Sequence, residues 1–122
     1  MLQRLFGAFG APPGSERVHV VEPAEIKAWM DAGQVLLVDV RETNEFAAEH
    51  IAGARHVPLS AFDPARVHDA SGRKLVIHCR SGSRCGMAAM RLLASGYEGE
   101  IYRMRGGILG WKSMGGKTRS GV

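Results

Sequence analysis

The chain has 122 residues, 45% of them hydrophobic and 23% charged, which suits one compact core and excludes both a two-domain build and general disorder. Its net charge of +4 comes from scattered Lys and Arg without a run of like charge, so no nucleic-acid footprint is expected. No apolar stretch reaches bilayer-spanning length, and two cysteines, Cys79 and Cys85, are too few for a disulfide scaffold and fit a reducing compartment.

From the start, Met1 to Gly14 carries Arg4 and a few apolar residues, but Gly7 and Gly10 interrupt them. The segment lacks the apolar centre of a secretion signal, so a flexible arm over 1–16 and a cytoplasmic location are expected. A folded domain is expected over 17–114. Val18 to Val21 predicts a strand. Pro23 opens a helix with Ile26, Trp29 and Met30 on one face, ended by Gly33. The run from Val35 to Val40, with Asp39 near its end, reads as a strand buried on both faces. Thr43 or Asn44 is the expected cap of a short helix. Ala54 to Val57 is a brief strand candidate, and Ser60 to Val67 a loop or short helix.

Lys74 to His78 predicts a second buried strand, running directly into Cys79 and a glycine-containing loop. A helix follows from near Ser83 to Gly96. Glu100 to Tyr102 is a last strand candidate, Gly106-Gly107 a turn, and Ile108 to Met114 a final helical segment. The Gly-rich basic stretch over 115–122 is expected to be a flexible tail. Alternating strands and helices predict an α/β domain, here a central, mostly parallel five-stranded sheet with helices on both faces.

The chemistry concentrates in Cys79-Arg80-Ser81-Gly82-Ser83-Arg84. Ligands of open α/β sheets bind at the carboxyl ends of strands, which is where Cys79 falls. A strand-to-helix loop turns successive N–H groups inward, and Gly82 permits the positive φ such a cradle needs. The helix N-terminus and the two arginines add positive potential. The Cys79 thiol is therefore expected to fall from ~8.5 into the range of roughly 3.5–7.5 found in such surroundings, with Arg80, Ser81, Gly82, Ser83 and Arg84 binding an anionic substrate. His78 should point away from Cys79 across the strand, which makes it a poor general base. The five histidines show no metal-ligand spacing.

This loop resembles the active-site loop of the rhodanese family, close to C-R-x-G-x-R. Asp39-Val40-Arg41-Glu42 with Glu45, His50-Ile51, Gly53-Ala54 and Pro58 resembles the family's upstream signature. Gly106-Gly107-Ile108 with Trp111 resembles its C-terminal one. The resemblance covers about 18–114. It implies a rhodanese-like three-layer domain and a sulfurtransferase of the thiosulfate sulfurtransferase type. Cys79 would take sulfane sulfur from a small sulfur-containing anion such as thiosulfate, hold it as a persulfide, and pass it to cyanide, a thiol or a protein acceptor. No metal or organic cofactor is implied, and the chain is expected to be a monomer or weak homodimer without nucleic-acid or membrane partners. Asp39 and Arg41 read as supports for neighbouring loop backbone, and Glu45 and His50 as packing and surface polarity.

Cys85 departs from the small polar residue common after the loop arginine. Facing the loop, it is a candidate resolving thiol; facing the core, it is packing. Three rival functions remain: a carrier dedicated to one protein partner, a binding module, and a phosphatase or arsenate reductase. The last group has one more residue between its cysteine and arginine than the four from Arg80 to Ser83 here, and the shorter loop suits a sulfur anion better than a phosphoryl group.

Overall fold

The structure is a computed structural model that describes residues 11–68 and 70–121; the expected arm lies mostly outside the described residues. Five strands, β1 (Val18–Val21), β2 (Val35–Asp39), β3 (Arg55–His56), β4 (Lys74–His78) and β5 (Ile101–Met104), form one sheet in the order β1-β5-β4-β2-β3. Every pairing is parallel. The helices are α1 (Pro23–Asp31), α2 (Thr43–Ala48), α3 (Ser83–Ala94) and α4 (Gly107–Ser113).

The central strands are apolar on both faces because both faces are covered. Leu36, Val38, Leu75, Ile77 and Cys79 point to one side, where Cys85, Ala88, Ala89 and Leu92 of α3 pack. Leu37 and Val76 point to the other, against Ile26 of α1 and Ile108 and Trp111 of α4. Each large apolar side chain so enclosed contributes about 1.5–3 kcal/mol. The alternation also places Asp39 and His78, register partners on β2 and β4, on the face opposite Cys79.

Several boundaries differ from those read in the sequence. The N-cap of α2 is Glu42, which forms a capping box with Glu45, so Thr43 is already helical. The reciprocal carboxylate bonds satisfy the first-turn N–H groups better than a Thr43 or Asn44 side chain placed one or two positions later. Residues 60–67 resolve into two short 3₁₀ turns, Leu59–Ala61 and Pro64–Arg66. The last strand runs on to Met104, which brings Arg103 into the sheet.

The segment after α4, expected to be a free tail, instead docks on the domain. Lys117 O accepts from Trp111 Nε1 at 2.8 Å. Arg119 exchanges two backbone hydrogen bonds with His50, both 2.8 Å, and Gly121 N donates to Ala47 O. Gly-rich composition signals a frayed end only when the backbone finds no partners, and here α2 and its C-terminal loop supply them.

Candidate active site

Cys79 follows β4 directly, and its side chain is almost wholly covered, at 1% exposure. The loop then curls so that backbone N–H groups converge on the sulfur. Gly82 N donates to Sγ at 3.0 Å, and the N–H groups of Arg84 and Cys85 do so as well. Gly82 makes the curl, at φ 126°, where a side chain would be strained.

The Cys85 thiol, which donates to Gly82 O at 2.8 Å, is the largest single influence drawing the Cys79 pKa down. Burial works against it, and the backbone N–H groups of Cys85, Gly82 and Arg84 add to the lowering. The pKa falls to about 5, so a thiolate stands ready at neutral pH. Cys85 is pushed the other way, well above the ordinary thiol range, first by the neighbouring Cys79 sulfur and then by burial.

The outer side of the loop is held by α4. Ile108 N donates to Cys79 O at 2.9 Å and Leu109 N to Arg80 O at 3.2 Å. With the carbonyls drawn outward, the N–H groups are left to face the sulfur. This contact needs Gly107, because a Cβ there would lie 2.3 Å from Cys79 O and 2.6 Å from Arg80 O.

The two loop arginines have different surroundings. Arg84 forms a two-pronged ion pair with Glu45 of α2, at 2.6 and 2.9 Å. That pairing holds the Glu45 carboxyl down at about 2. Both arms of the guanidinium are therefore engaged by Glu45, which ties the loop to α2. The same finding corrects Glu45, whose carboxylate ties α2 to the loop. Arg80 is exposed, and no hydrogen bond holds its side chain among the described residues. Ser81, Gly82 and Ser83 border a cavity of about 410 Å³ with Cys85, Arg103 and Arg105.

On the opposite face Asp39 and Arg41 pair with each other. Arg41 donates through N, Nε and Nη2 to the Asp39 carboxylate at 2.9–3.2 Å, and Nη2 also reaches Glu49 O. Their exposures are 0% and 4%. His78 is fully buried with Nδ1 3.3 Å from Cys79 O, and burial lowers its pKa. Sequence reading missed Arg103. Its Nε donates to Cys85 Sγ at 3.4 Å and Nη2 to Gly82 O at 2.9 Å.

A rhodanese-like domain model matches residues 22–114, three-quarters of the chain and all of the elements that build the loop. The chain belongs to the rhodanese-like domain family. It is 39% identical over 95 residues to an uncharacterized protein of Synechocystis, a match covering 78% of this chain and 52% of that one. It is 38% identical over 86 residues to a sulfurtransferase of Allochromatium vinosum, covering 70% of this chain and 78% of the relative. The chain thus spans about half the length of the Synechocystis relative. Among solved structures, thiosulfate sulfurtransferase from Pseudomonas aeruginosa superposes with a TM-score of 0.76 at 22% identity, over 88% of this chain and 21% of that one. At that identity the likeness concerns the fold, and it agrees with the parallel five-stranded sheet described above.

The acidity of this rhodanese-like domain's Cys79 has a direct readout. Its alkylation by iodoacetamide is expected to rise with a midpoint near pH 5 and to be flat above neutrality. Because the folded value lies below the ordinary ~8.5 of a thiol, the stabilisation the loop gives this thiolate is complete above that ordinary value. It is lost as pH falls through the folded value. Cys85→Ala, which removes the largest cause, should move the midpoint upward; an unchanged midpoint would show that the backbone donors suffice.

Proposed function

We propose that this chain is a sulfurtransferase that takes sulfane sulfur from thiosulfate or a persulfide donor, holds it on Cys79 as a persulfide, and gives it to cyanide or a thiol acceptor. The observation that carries the reading is the convergence of three loop N–H groups on one sulfur atom. Such a ring stabilises a sulfur anion before and after charging. Membership of the rhodanese-like family, with a relative named as a sulfurtransferase, supports sulfur transfer in general; the donor and acceptor are the proposal's own.

The Cys79 thiolate attacks the outer sulfur of thiosulfate, the S–S bond breaks, and its electron pair leaves with sulfite. Arg80 and the N–H groups near Ser81 to Ser83 hold the sulfonate while Arg84, fixed by Glu45, keeps the loop in shape. An acceptor then removes the outer sulfur and returns the thiolate, the double displacement that gives ping-pong kinetics. Two unpaired cysteines fit a cytoplasmic setting. No helix among the described residues is long and apolar enough to cross a membrane.

Thiosulfate should add about 32 Da to the protein, the mass of one sulfur atom on the covalent intermediate, and cyanide should then yield thiocyanate. Cys79→Ser should take neither step. Thiocyanate formation by Cys79→Ser at the wild-type rate would end this reading. A chain that charges but yields its sulfur only to a protein would be a dedicated carrier.

A further inference from the structure

Cys85 does more than fill space in the core. Its sulfur and that of Cys79 sit on the same residue's backbone: Gly82 N donates to Cys79 Sγ at 3.0 Å, and Gly82 O accepts from the Cys85 thiol at 2.8 Å. Both cysteines are buried, at 1% and 0% exposure. A guanidinium is aimed at the second sulfur. Arg103 stands on the same face of β5 as the buried Ile101, near the strand's carboxyl end, and donates Nε–H to Cys85 Sγ at 3.4 Å. The residue after Cys85 makes room for it, since a Cβ on Gly86 would lie 3.0 Å from Arg103 Nη2. A cysteine that serves as a small hydrophobe needs no guanidinium at its sulfur.

We propose that Cys85 is a resolving thiol, which displaces the outer sulfur of a charged Cys79 as sulfide and closes a Cys79–Cys85 disulfide. The proposal rests on the persulfide reading of Cys79. It adds an activity, the release of sulfide without an outside sulfur acceptor. The step balances within the chain. The Cys85 sulfur attacks Cys79 Sγ, and the bond from Sγ to the outer sulfur breaks. Its electron pair goes to that sulfur, which leaves as hydrogen sulfide with the proton from Cys85. The sulfane sulfur is reduced and the two cysteines are oxidised. A low-molecular-weight thiol, or a dithiol protein, restores the pair by exchange.

The charges supply the timing. In the resting site the Cys79 thiolate keeps the proton on Cys85, and the second thiol is silent. Charging moves the negative charge to the outer sulfur, about 2 Å farther along an S–S bond. Arg103 stays beside Cys85 and favours its thiolate, so the nucleophile is armed only when there is a persulfide to attack.

The experiment is a single turnover of the full chain with thiosulfate, anaerobic and without acceptor, followed by sulfite, sulfide and intact mass. Sulfite reports charging of Cys79. Wild-type protein is expected to go on to release about one sulfide per chain and to settle about 2 Da below its reduced mass, the two hydrogens lost on forming a disulfide. Cys85→Ser, followed until its own sulfite release is complete, should hold its added sulfur, lowering the sulfide formed per sulfite released by roughly tenfold or more. Wild-type protein that releases sulfite and then keeps its added sulfur as long as Cys85→Ser does would overturn the proposal, and a lasting persulfide on the wild type does so alone if the variant does not fold. Absence of sulfite would instead count against thiosulfate as donor. Protein charged with inorganic polysulfide then tests Cys85 by mass, with disulfide supporting the proposal and lasting persulfide overturning it.

Discussion

Asp39→Ala is expected to lower the free energy of unfolding by about 3–5 kcal/mol, the cost of leaving one member of a buried ion pair alone. Domains of this kind have roughly 5–15 kcal/mol in total, so the variant should unfold at a much lower urea concentration. The reason lies in how completely the two charges are enclosed. Asp39 is 0% exposed and Arg41 4%. The carboxylate accepts four donations from Arg41, while His78 Nε2, which has no hydrogen bond of its own, lies 3.6 Å from it. Without the carboxylate, a buried guanidinium is left on the side of the sheet opposite Cys79 with one carbonyl, Glu49 O, as partner. Replacing both members, as in Asp39→Ala with Arg41→Met, should cost less than the sum of the single changes, because the stranded charge is gone. Additive losses would mean that the pair is not coupled. The site lies on the other face of β4, so the surviving folded fraction of Asp39→Ala should keep an acidic Cys79.

The strands were legible because burial on both faces leaves continuous apolar runs, as from Val35 to Val38 and Leu75 to Ile77. The loop was legible because its parts are contiguous: strand end, nucleophile, glycine and helix start follow one another in sequence. What escaped was non-local. Glu45 looks like an ordinary surface acid until the fold carries Arg84, 39 positions later, against it. Arg103 was missed twice over, since the last strand was ended too early and its reach to Cys85 depends on the β4–β5 register that aligns Ile77 with Arg103. Whether Cys85 faces loop or core was open in the sequence, and the structure has it doing both: the residue belongs to the α3 face of the core, while its sulfur meets the loop at Gly82 O and Arg103 from β5. The docking of the chain end on α2 left no pattern at all, because backbone hydrogen bonds such as those of Arg119 do not depend on side-chain type.

Gly107 is a second residue whose importance the sequence understated, since a Gly-Gly pair reads as a turn. Gly107→Ala is expected to reduce sulfur transfer by about a hundredfold, the loss that a misplacement of roughly 1 Å brings to a reacting group. The alanine Cβ and the Cys79 carbonyl oxygen cannot both stay where they are, with 2.3 Å between them, and Arg80 O is no farther than 2.6 Å. These are backbone atoms, so no side-chain rotation relieves the contact. Either α4 withdraws or the loop shifts. In both cases the bonds from Ile108 N and Leu109 N stretch, the carbonyls they hold outward are released, and the N–H groups lose their aim on the sulfur. The Cys79 alkylation midpoint should therefore climb from about 5 toward the ordinary ~8.5, with kcat falling in step. The backbone conformation, φ +57°, adds strain of about 1–2 kcal/mol for a residue with a Cβ. Gly33→Ala separates the two effects: its φ of +71° carries similar strain, but no atom lies within 4 Å of its added Cβ. That variant should lose stability alone and keep both activity and an acidic Cys79. Equal kinetic losses in the two variants would show that backbone strain, and not the contact between α4 and the loop, controls the site.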